Sequence, residues 1–368
     1  MIDTVHKIKQ LPWHLIAVIL IISVLGIVML YSAANGNLHP WAFKQLLRLF
    51  IGLILMVVVA LIDMRTWIAS AYFFYTATLV LLIFVELLGF VGMGAQRWID
   101  LYIFNLQPSE LMRLALLLAL ARYFYTADIR EIGNWRFLVP PVIMILLPVA
   151  LVCRQPDLGT ALLLMMGAGA ILFVSGIHWG YFLGIGCAAI ASIPVLWSFL
   201  HAYQKSRILN FLTPERDPMR TGYHVVQSKI ALGSGEITGK GFLKGTQSHL
   251  NFLPEKQTDF IFTMFGEEFG FIGCLLLILL YCIWLIGSLE IALNCKHRFG
   301  QLLGVGIAIS FFVYVFVNMA MVMGLLPVVG IPLPFFSYGG TALITLLISQ
   351  GVLFSVHLQT KLRGQNNF

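Results

Sequence analysis

Long, continuous stretches of apolar residues are the feature that most constrains how this chain can fold. The first of them, from Trp13 to Tyr31, contains no Lys, Arg, Asp or Glu. A helix needs about 20 apolar residues to cross the hydrocarbon core of a membrane, and the stretch is that long. The stretches do not alternate in polarity, which excludes an outer-membrane β-barrel. The pattern predicts a polytopic helical membrane protein.

The composition supports this prediction. Charged residues make up 11% of the 368 residues and hydrophobic residues 60%, whereas a soluble chain has about 25% charged residues. A soluble domain of this length could not cover so much apolar side chain. The same composition excludes disordered, collagen-like and disulfide-stapled secreted chains.

Ten spans are predicted, so both termini lie on one side of the membrane. Ten Lys and Arg residues occupy the short loops on that side and five the opposite short loops and mouths, which favours cytoplasmic termini. The fold class is an all-α polytopic membrane protein, one domain over residues 1–368, with one large extracytoplasmic loop at 201–259. The predicted spans are 13–32, 43–62, 68–89, 108–125, 137–153, 158–176, 181–200, 260–289, 302–325 and 340–358.

The formal net charge is +7, and the basic residues stand mostly in loops and at helix ends. This placement favours contact with anionic membrane lipid rather than with nucleic acid. The sequence has no Walker A motif, dinucleotide fingerprint or G-x-S-x-G motif, so no soluble nucleotide fold is predicted. The histidines lack metal-ligand spacing, so no protein metal site is predicted either.

Asp259 stands where the large loop enters the eighth span. A partly desolvated carboxylate at a membrane mouth can act as a general base. The structural alternative is a helix cap, because Thr258 and Asp259 are both good N-cap residues before an apolar helix. Residue type alone leaves both readings open.

The fourth span opens with Glu110 and Arg113, whose i, i+3 spacing puts both charges on one helix face. Such a pair is either a structural ion pair or a holder of a head group or catalytic partner. Together with Arg113, other basic residues at the outer mouths could form a phosphate-binding rim, although each alone could be a solvated charge. They are Lys44, Arg48, Arg97 and Arg154.

The stretch 330–340 contains two prolines and several glycines just before the last span. Such backbone cannot continue a helix that faces lipid, so it must be buried in protein or line a cavity. Broken backbone beside Asp259 suggests a membrane-edge site for an amphiphile.

Several motifs, taken together and in order, resemble those of the SEDS family of shape, elongation, division and sporulation proteins. They are 94–98 (GAQRW), 107–110 (QPSE), 155–160 (QPDLGT), 222–224 (GYH), 227–229 (QSK) and 330–340. The segments 245–248 (GTQS), 252–255 (FLPE) and 258–262 (TDFIF) look like the RodA branch rather than the division branch, FtsW.

The resemblance implies ten spans and a peptidoglycan glycosyltransferase that polymerises lipid II on the outer face of the bacterial cytoplasmic membrane. It also implies a class B penicillin-binding protein and other elongation-complex proteins as partners. The family's essential loop aspartate maps onto Asp259, and its functional acidic residue onto Glu110. Its usual lysine is replaced by Arg113, a permanent cation unsuited to proton transfer. Gln257 stands where a histidine is common.

The expected reaction begins when Asp259 removes the proton from the 4-hydroxyl of the acceptor sugar. That oxygen attacks the anomeric carbon of the lipid-linked donor, inverts it and releases undecaprenyl pyrophosphate, as suits a single carboxylate. The sequence requires no cofactor, although Mg²⁺ or Mn²⁺ could assist the leaving pyrophosphate. Candidates for positive charge there are Arg97, Arg113, Arg154, Lys44 and Lys229. The predicted substrate-binding residues are Lys44, Arg97, Arg154, Asp157, Gln227, Lys229 and Ser337.

Two alternatives remain open. A lipid II flippase would use the same amphiphile, but it should need polar groups along a path across the bilayer, and the polar motifs cluster on the outer side. A non-catalytic scaffold of the elongation complex would need no mouth carboxylate. A small-solute transporter is disfavoured because no inverted repeat is visible.

Overall fold

The computed structural model describes residues 4–88, 90–92, 95–100, 105–128, 132, 134–155, 157–199, 205, 209, 221–250 and 255–365. Its helices are α1 (Thr4–Lys9), α2 (Trp13–Ala33), α3 (Ala42–Leu61), α4 (Met64–Leu88), α5 (Pro108–Thr126), α6 (Trp135–Arg154), α7 (Leu158–Val174), α8 (Trp179–Phe199), α9 (Thr221–Ser234), α10 (Thr246–His249), α11 (Ile261–Asn294), α12 (Arg298–Val322) and α13 (Gly340–Gln365).

Each of the ten predicted spans coincides with one of these helices. Seven helices in the described part, namely α2, α3, α4, α6, α11, α12 and α13, are long and apolar enough to cross a membrane. The all-α polytopic membrane fold is thereby confirmed. The count of ten stays a prediction, because α7 and α8 offer shorter apolar runs and α5 carries three charged residues.

Between α4 and α5, where the sequence predicts a loop, the chain forms three short strands. They are β1 (Phe90–Gly92), β2 (Ala95–Asp100) and β3 (Asn105–Leu106), and they pair antiparallel in the order β1-β2-β3. This meander carries Arg97 back towards the turn before α7.

The centre of the bundle is formed by α12 and α13. The most apolar windows of these two helices are 83% and 78% buried inside the protein, against 28–33% for α3, α4, α6 and α11. A helix that is apolar all round and also buried belongs to the core of a bundle. The α12 helix contacts α5, α7, α11 and α13, so its polar residues reach several elements at once.

The large predicted loop is partly helical. Helix α9 packs on α11 and α12 through Ser228, whose buried hydroxyl lies 2.7 Å from Thr263 Oγ1 and donates to Val322 O at 2.8 Å. Residues 201–204, 206–208, 210–220 and 251–254 of that loop lie outside the described residues.

Helix α11 is interrupted at Gly270, which has φ 66° and ψ −164°. The backbone of the segment 236–241 inserts at this break and pairs with the N–H and C=O groups that the break releases. Unpaired backbone groups inside an apolar bundle would each cost several kcal/mol. The four bonds run from Lys240 N to Glu267 O, Gly241 N to Glu268 O, Phe271 N to Glu236 O and Ile272 N to Ile237 O, at 2.9–3.1 Å.

A Cβ on Gly270 would overlap the backbone at Gly239, and its dihedral angles are accessible only to glycine. We therefore expect Gly270→Ala to destabilise the protein by about 3 kcal/mol or more. The melting temperature of purified protein in detergent measures the effect. The matched control is Gly184→Ala in α8, where a Cβ meets nothing within 4 Å. Equal melting temperatures for the two variants would contradict the prediction.

Two neighbouring carboxylates hold the segment 240–249 against the bundle. Glu267 is fully buried, and its Oε1 accepts hydrogen bonds from Lys240 Nζ at 2.7 Å, Thr246 N at 2.7 Å and Gln247 N at 3.0 Å. Glu268 in turn accepts from the Ser32 hydroxyl at the end of α2 and lies 3.4 Å from His249 Nε2. These bonds join the segment to both α11 and α2.

Glu267→Gln should loosen this segment, because the amide loses the charge that pairs with Lys240 and brings its own N–H groups towards N–H donors. Removing a buried charged partner costs about 3–5 kcal/mol. We expect trypsin to cleave after Lys240 and Lys244 at least about tenfold faster than in wild type. The control is Glu290→Gln, which changes an exposed side chain of the same helix. Trypsin should cleave this variant at the wild-type rate. Identical protection in both variants would show that Glu267 does not hold the segment.

Candidate functional site at the start of α11

Asp259 lies in the turn that precedes α11. The N-cap position of α11 is Phe260, which makes no side-chain cap bond, so the capping alternative is not supported. The Asp259 carbonyl accepts a hydrogen bond from Asn318 Nδ2 at 3.0 Å. Asp259 Oδ2 lies 3.6 Å from the point where a Cβ on Gly330 would be. The partly buried carboxylate therefore lies directly against the broken segment.

The broken segment, which is non-helical over 324–339, is buried at residues 331 and 333–337, as the prolines and glycines of 330–340 predicted. Phe336 and Ser337 are buried. Ser337 Oγ accepts from Leu333 N and donates to Thr258 O, both at 2.7 Å, while Tyr338 N donates to Gln257 O at 2.9 Å. Ser337, predicted as a substrate-binding residue, thus fixes the turn next to Asp259.

Glu110 and Arg113 form a buried network with Tyr314 of α12. Arg113 Nη2 lies 3.3 Å from Glu110 Oε2, the Tyr314 hydroxyl donates to Glu110 Oε1 at 2.8 Å, and Arg113 Cζ lies 4.6 Å from the centre of the Tyr314 ring. Both charged side chains are about 5% exposed. A buried pair of this kind persists only where further polar contacts offset the loss of solvation.

Helix α12 connects this network to Asp259. Tyr314, which bonds Glu110, and Asn318, which bonds the Asp259 carbonyl, are four residues apart and therefore about 6 Å apart along one helix face. Asn318 Nδ2 also donates to Ile331 O at 2.6 Å. Neither residue was predicted from the sequence. A buried amide one turn after a tyrosine in an otherwise apolar span was the available signal.

Arg97 and Asp157 come together at the start of α7. Arg97 Nη1 lies 3.8 Å from Asp157 Oδ2, and Arg97 Nε donates to Gln155 O at 2.9 Å. Asp157 Oδ1 accepts from Thr160 N at 3.1 Å and so caps α7. Arg154 pairs instead with Glu86, 3.0 Å away, and is 74% exposed.

The remaining predicted binding residues make fewer contacts. Lys44 and Lys229 are exposed, and the Lys229 chain packs against Gly324. Gln227 is partly buried, while its neighbour Ser228 makes the buried contacts of α9. The basic residues predicted to form one phosphate-binding rim are therefore engaged separately. Arg97, Arg113 and Arg154 each pair with a different carboxylate.

Two ionisable groups near Asp259 are affected by burial. Desolvation lowers the pKa of Lys256, and it also lowers the pKa of His224 in α9. The His224 ring centre lies 6.5 Å from that of Phe260, the residue after Asp259. A lowered pKa favours the neutral imidazole near pH 7. Over the described ranges, no group of three or more His, Cys, Asp or Glu residues is placed to hold a metal ion.

Together these residues place the Asp259 carboxylate just before the start of α11 and beside the broken segment. One face of α12, through Asn318 and Tyr314, joins that position to the buried Glu110–Arg113 ion pair. A carboxylate so placed can remove a proton from a hydroxyl group of a substrate that reaches the membrane edge. The site therefore suits an amphiphile whose polar part reacts while its apolar part stays among the helices.

The chain is similar to proteins named as peptidoglycan glycosyltransferases. Peptidoglycan glycosyltransferase MrdB of Escherichia coli K12 is 40% identical over 374 residues, covering 99% of this chain and 97% of that protein. The probable peptidoglycan glycosyltransferase FtsW of Geobacter sp. strain M18 is 39% identical over 356 residues, covering 94% of this chain and 95% of that protein.

The chain is also similar to solved structures. The rod shape determining protein RodA of Thermus thermophilus superposes with a TM-score of 0.72 and 30% identity, covering 94% of this chain and 96% of that one. A chain from a peptidoglycan synthase complex, described as coordinating polymerization and crosslinking, superposes with a TM-score of 0.83 and 32% identity, covering 95% and 98%. A sequence model of the FtsW/RodA/SpoVE cell cycle protein family matches residues 12–362. This chain belongs to the FtsW/RodA/SpoVE family.

Proposed function

We propose that this protein is a peptidoglycan glycosyltransferase that polymerises lipid II during cell elongation. The names of its MrdB and RodA relatives support the activity and the elongation branch. The observation that carries the proposal is the Asp259 carboxylate, which lies against the broken segment on a turn whose backbone is held by Asn318 and Ser337. The protein is an integral membrane protein, and we place Asp259 on the outer face of the bacterial cytoplasmic membrane with both termini inside.

In this mechanism Asp259 accepts the proton of the acceptor's 4-hydroxyl as that oxygen bonds to the anomeric carbon of the donor. The bond from that carbon to the diphosphate breaks, its electron pair leaves with undecaprenyl pyrophosphate, and the α linkage becomes β. The partly buried position of Asp259 limits competing hydrolysis by water. The Glu110–Arg113–Tyr314 network keeps the neighbouring face of α12 polar.

The leaving diphosphate carries negative charge that the protein must stabilise. Arg97, Arg113 and Arg154 are each engaged with a carboxylate, so their net contribution is reduced. Mg²⁺ or Mn²⁺ stays part of the proposal as an additional partner of the diphosphate. A class B penicillin-binding protein is the proposed partner, supported by the synthase complex to which this chain is similar.

A lipid II flippase is the second candidate function. It would need polar groups distributed along a path through the bundle. In the described part, the contacts that link Asp259, Ser337 and Asn318 gather instead at one end of α11 and α12. This grouping favours the enzyme.

Asp259→Asn should abolish polymerisation, because the amide cannot accept the acceptor's proton. General-base assistance contributes about 10²- to 10⁴-fold to a rate, so we expect at least about 100-fold less glycan. The assay is strand formation from purified lipid II by this protein fused to its class B partner. Asp63→Asn, a matched change of an exposed aspartate between α3 and α4, should retain full activity.

Three outcomes separate the alternatives. Polymer from wild type and Asp63→Asn alone supports both the enzyme and the base. Polymer from Asp259→Asn as well keeps the enzyme but rejects Asp259 as the base. No polymer from folded, partner-bound wild type rejects the glycosyltransferase, and transfer of fluorescent lipid II across liposomes would then support the flippase.

A further inference from the structure

The guanidinium of Arg48 points at the first residue of α13. A Cβ on Gly340 would lie 3.4 Å from Arg48 Cζ and 3.5 Å from its Nη2. On another side, Arg48 Cζ lies 4.9 Å from the centre of the Tyr338 ring. Arg48 is therefore held in place, between an aromatic ring and a helix N-terminus, rather than extended into solvent.

This arrangement puts two positive groups together. The N-terminal end of a helix carries a partial positive charge, so a cation there is unfavourable and an anion is favourable. Helix α13 is 26 residues long and has no acidic residue in its first turn. No carboxylate of the described part lies within 4 Å of the Arg48 guanidinium, whereas Arg97, Arg113 and Arg154 each have one. The position lacks a negative group.

The groups around this position suit phosphate oxygens. The first N–H groups of a helix have no acceptor within the helix, and Gly339 and Gly340 present no side chain that would keep an oxygen away. Thr341 is 4% exposed, and its hydroxyl has no hydrogen-bond partner among the described residues. Arg48 is partly buried, and its Nη1 is likewise a buried atom without such a partner. Both an arginine and a helix N-terminus are well suited to bind phosphate.

The position also adjoins Asp259. Gln45, one turn before Arg48 on α3, donates to Ser337 O at 2.9 Å and accepts from Gly339 N at 3.4 Å. Ser337 in turn donates to the carbonyl of Thr258, the residue before Asp259. One short segment, 337–340, thus has the carboxylate turn on one side and Arg48 on the other.

We propose that Arg48 and the first turn of α13 bind the diphosphate of a prenyl-diphosphate-linked sugar. The inference rests on the proposed function and adds a residue to it, because Arg48 supplies the positive charge that the paired arginines do not. A diphosphate brings negative charge to both the guanidinium and the helix N-terminus. An anionic phospholipid head group shares part of this chemistry, and the test separates the two.

Binding is measured without turnover, in the Asp259→Asn background, with protein in phosphatidylcholine nanodiscs and undecaprenyl pyrophosphate as the probe. Arg48→Gln should raise Kd about tenfold or more, since charged hydrogen bonds are lost. Arg48→Lys should have a Kd between those of the parent and Arg48→Gln, because an ammonium group cannot form the bidentate contact. The matched control is Arg136→Gln, an exposed arginine that lies over Trp135 with 5.6 Å between Cζ and the ring centre. It should bind as the parent does.

Gly340→Ala keeps the test decisive if Arg48→Gln fails to fold. Its methyl group would press on the guanidinium and occupy the approach of an oxygen, so Kd should again rise. Unchanged Kd in folded Arg48→Gln, or in both Arg48→Lys and Gly340→Ala, overturns the inference. Equal competition by phosphatidylglycerol at matched concentration assigns the site to phospholipid and overturns it as well.

Failure of the Arg48 inference can be distinguished from failure of the proposed function. If wild type polymerises lipid II while Arg48→Gln binds the probe normally, only the Arg48 inference fails. If wild type never polymerises but binds the probe through Arg48, the proposed function fails and the diphosphate site stands.

Discussion

The structure depends on one constraint, which is that backbone groups released from a helix inside this bundle must find partners within the protein. Lipid offers none. The chain breaks its helical backbone twice in the described part, at Gly270 in α11 and through the segment 324–339. At the first break the partners are backbone groups of the segment 236–241. At the second they are the side chains of Gln45, Asn318 and Ser337.

The second of these repairs also builds the site. Asn318 and Ser337 each bond a backbone carbonyl of the turn that contains Asp259, and Gln45 bonds Ser337. The polar groups that stabilise the irregular backbone of 324–339 therefore also hold the turn that carries the carboxylate. The position of the Asp259 turn and the stability of the broken segment are therefore coupled. Loss of one of these bonds would leave a backbone group without a partner and would also free the turn.

Much of this could be predicted from the sequence. Continuous apolar stretches predicted the helices, the prolines and glycines of 330–340 predicted the buried broken segment, and position at a membrane mouth singled out Asp259. These signals are local, and they reflect how a short piece of chain meets lipid. The spacing of Glu110 and Arg113 likewise predicted their contact, because three residues on a helix determine it.

What could not be predicted depends on which distant residues meet. Ser32 bonds Glu268 across 236 residues of chain, and Gln45 bonds Ser337 across 292. The sequence likewise grouped Arg97, Arg113 and Arg154 as one rim, although the packing gives each a different carboxylate. Pairings of this kind follow from helix packing, and no periodicity in one stretch encodes them.

The guanidinium beside Glu110 also limits which residue could stand in its place. Arg113 Nη2 lies 3.3 Å from Glu110 Oε2, and Arg113 Cζ lies 4.6 Å from the centre of the Tyr314 ring. A planar guanidinium can contact a carboxylate and stack on an aromatic ring at the same time, whereas the ammonium group of a lysine is a compact point charge. A lysine at this position would keep the charge beside Glu110 but lose the stacked contact with α12, so the two basic residues are not interchangeable here.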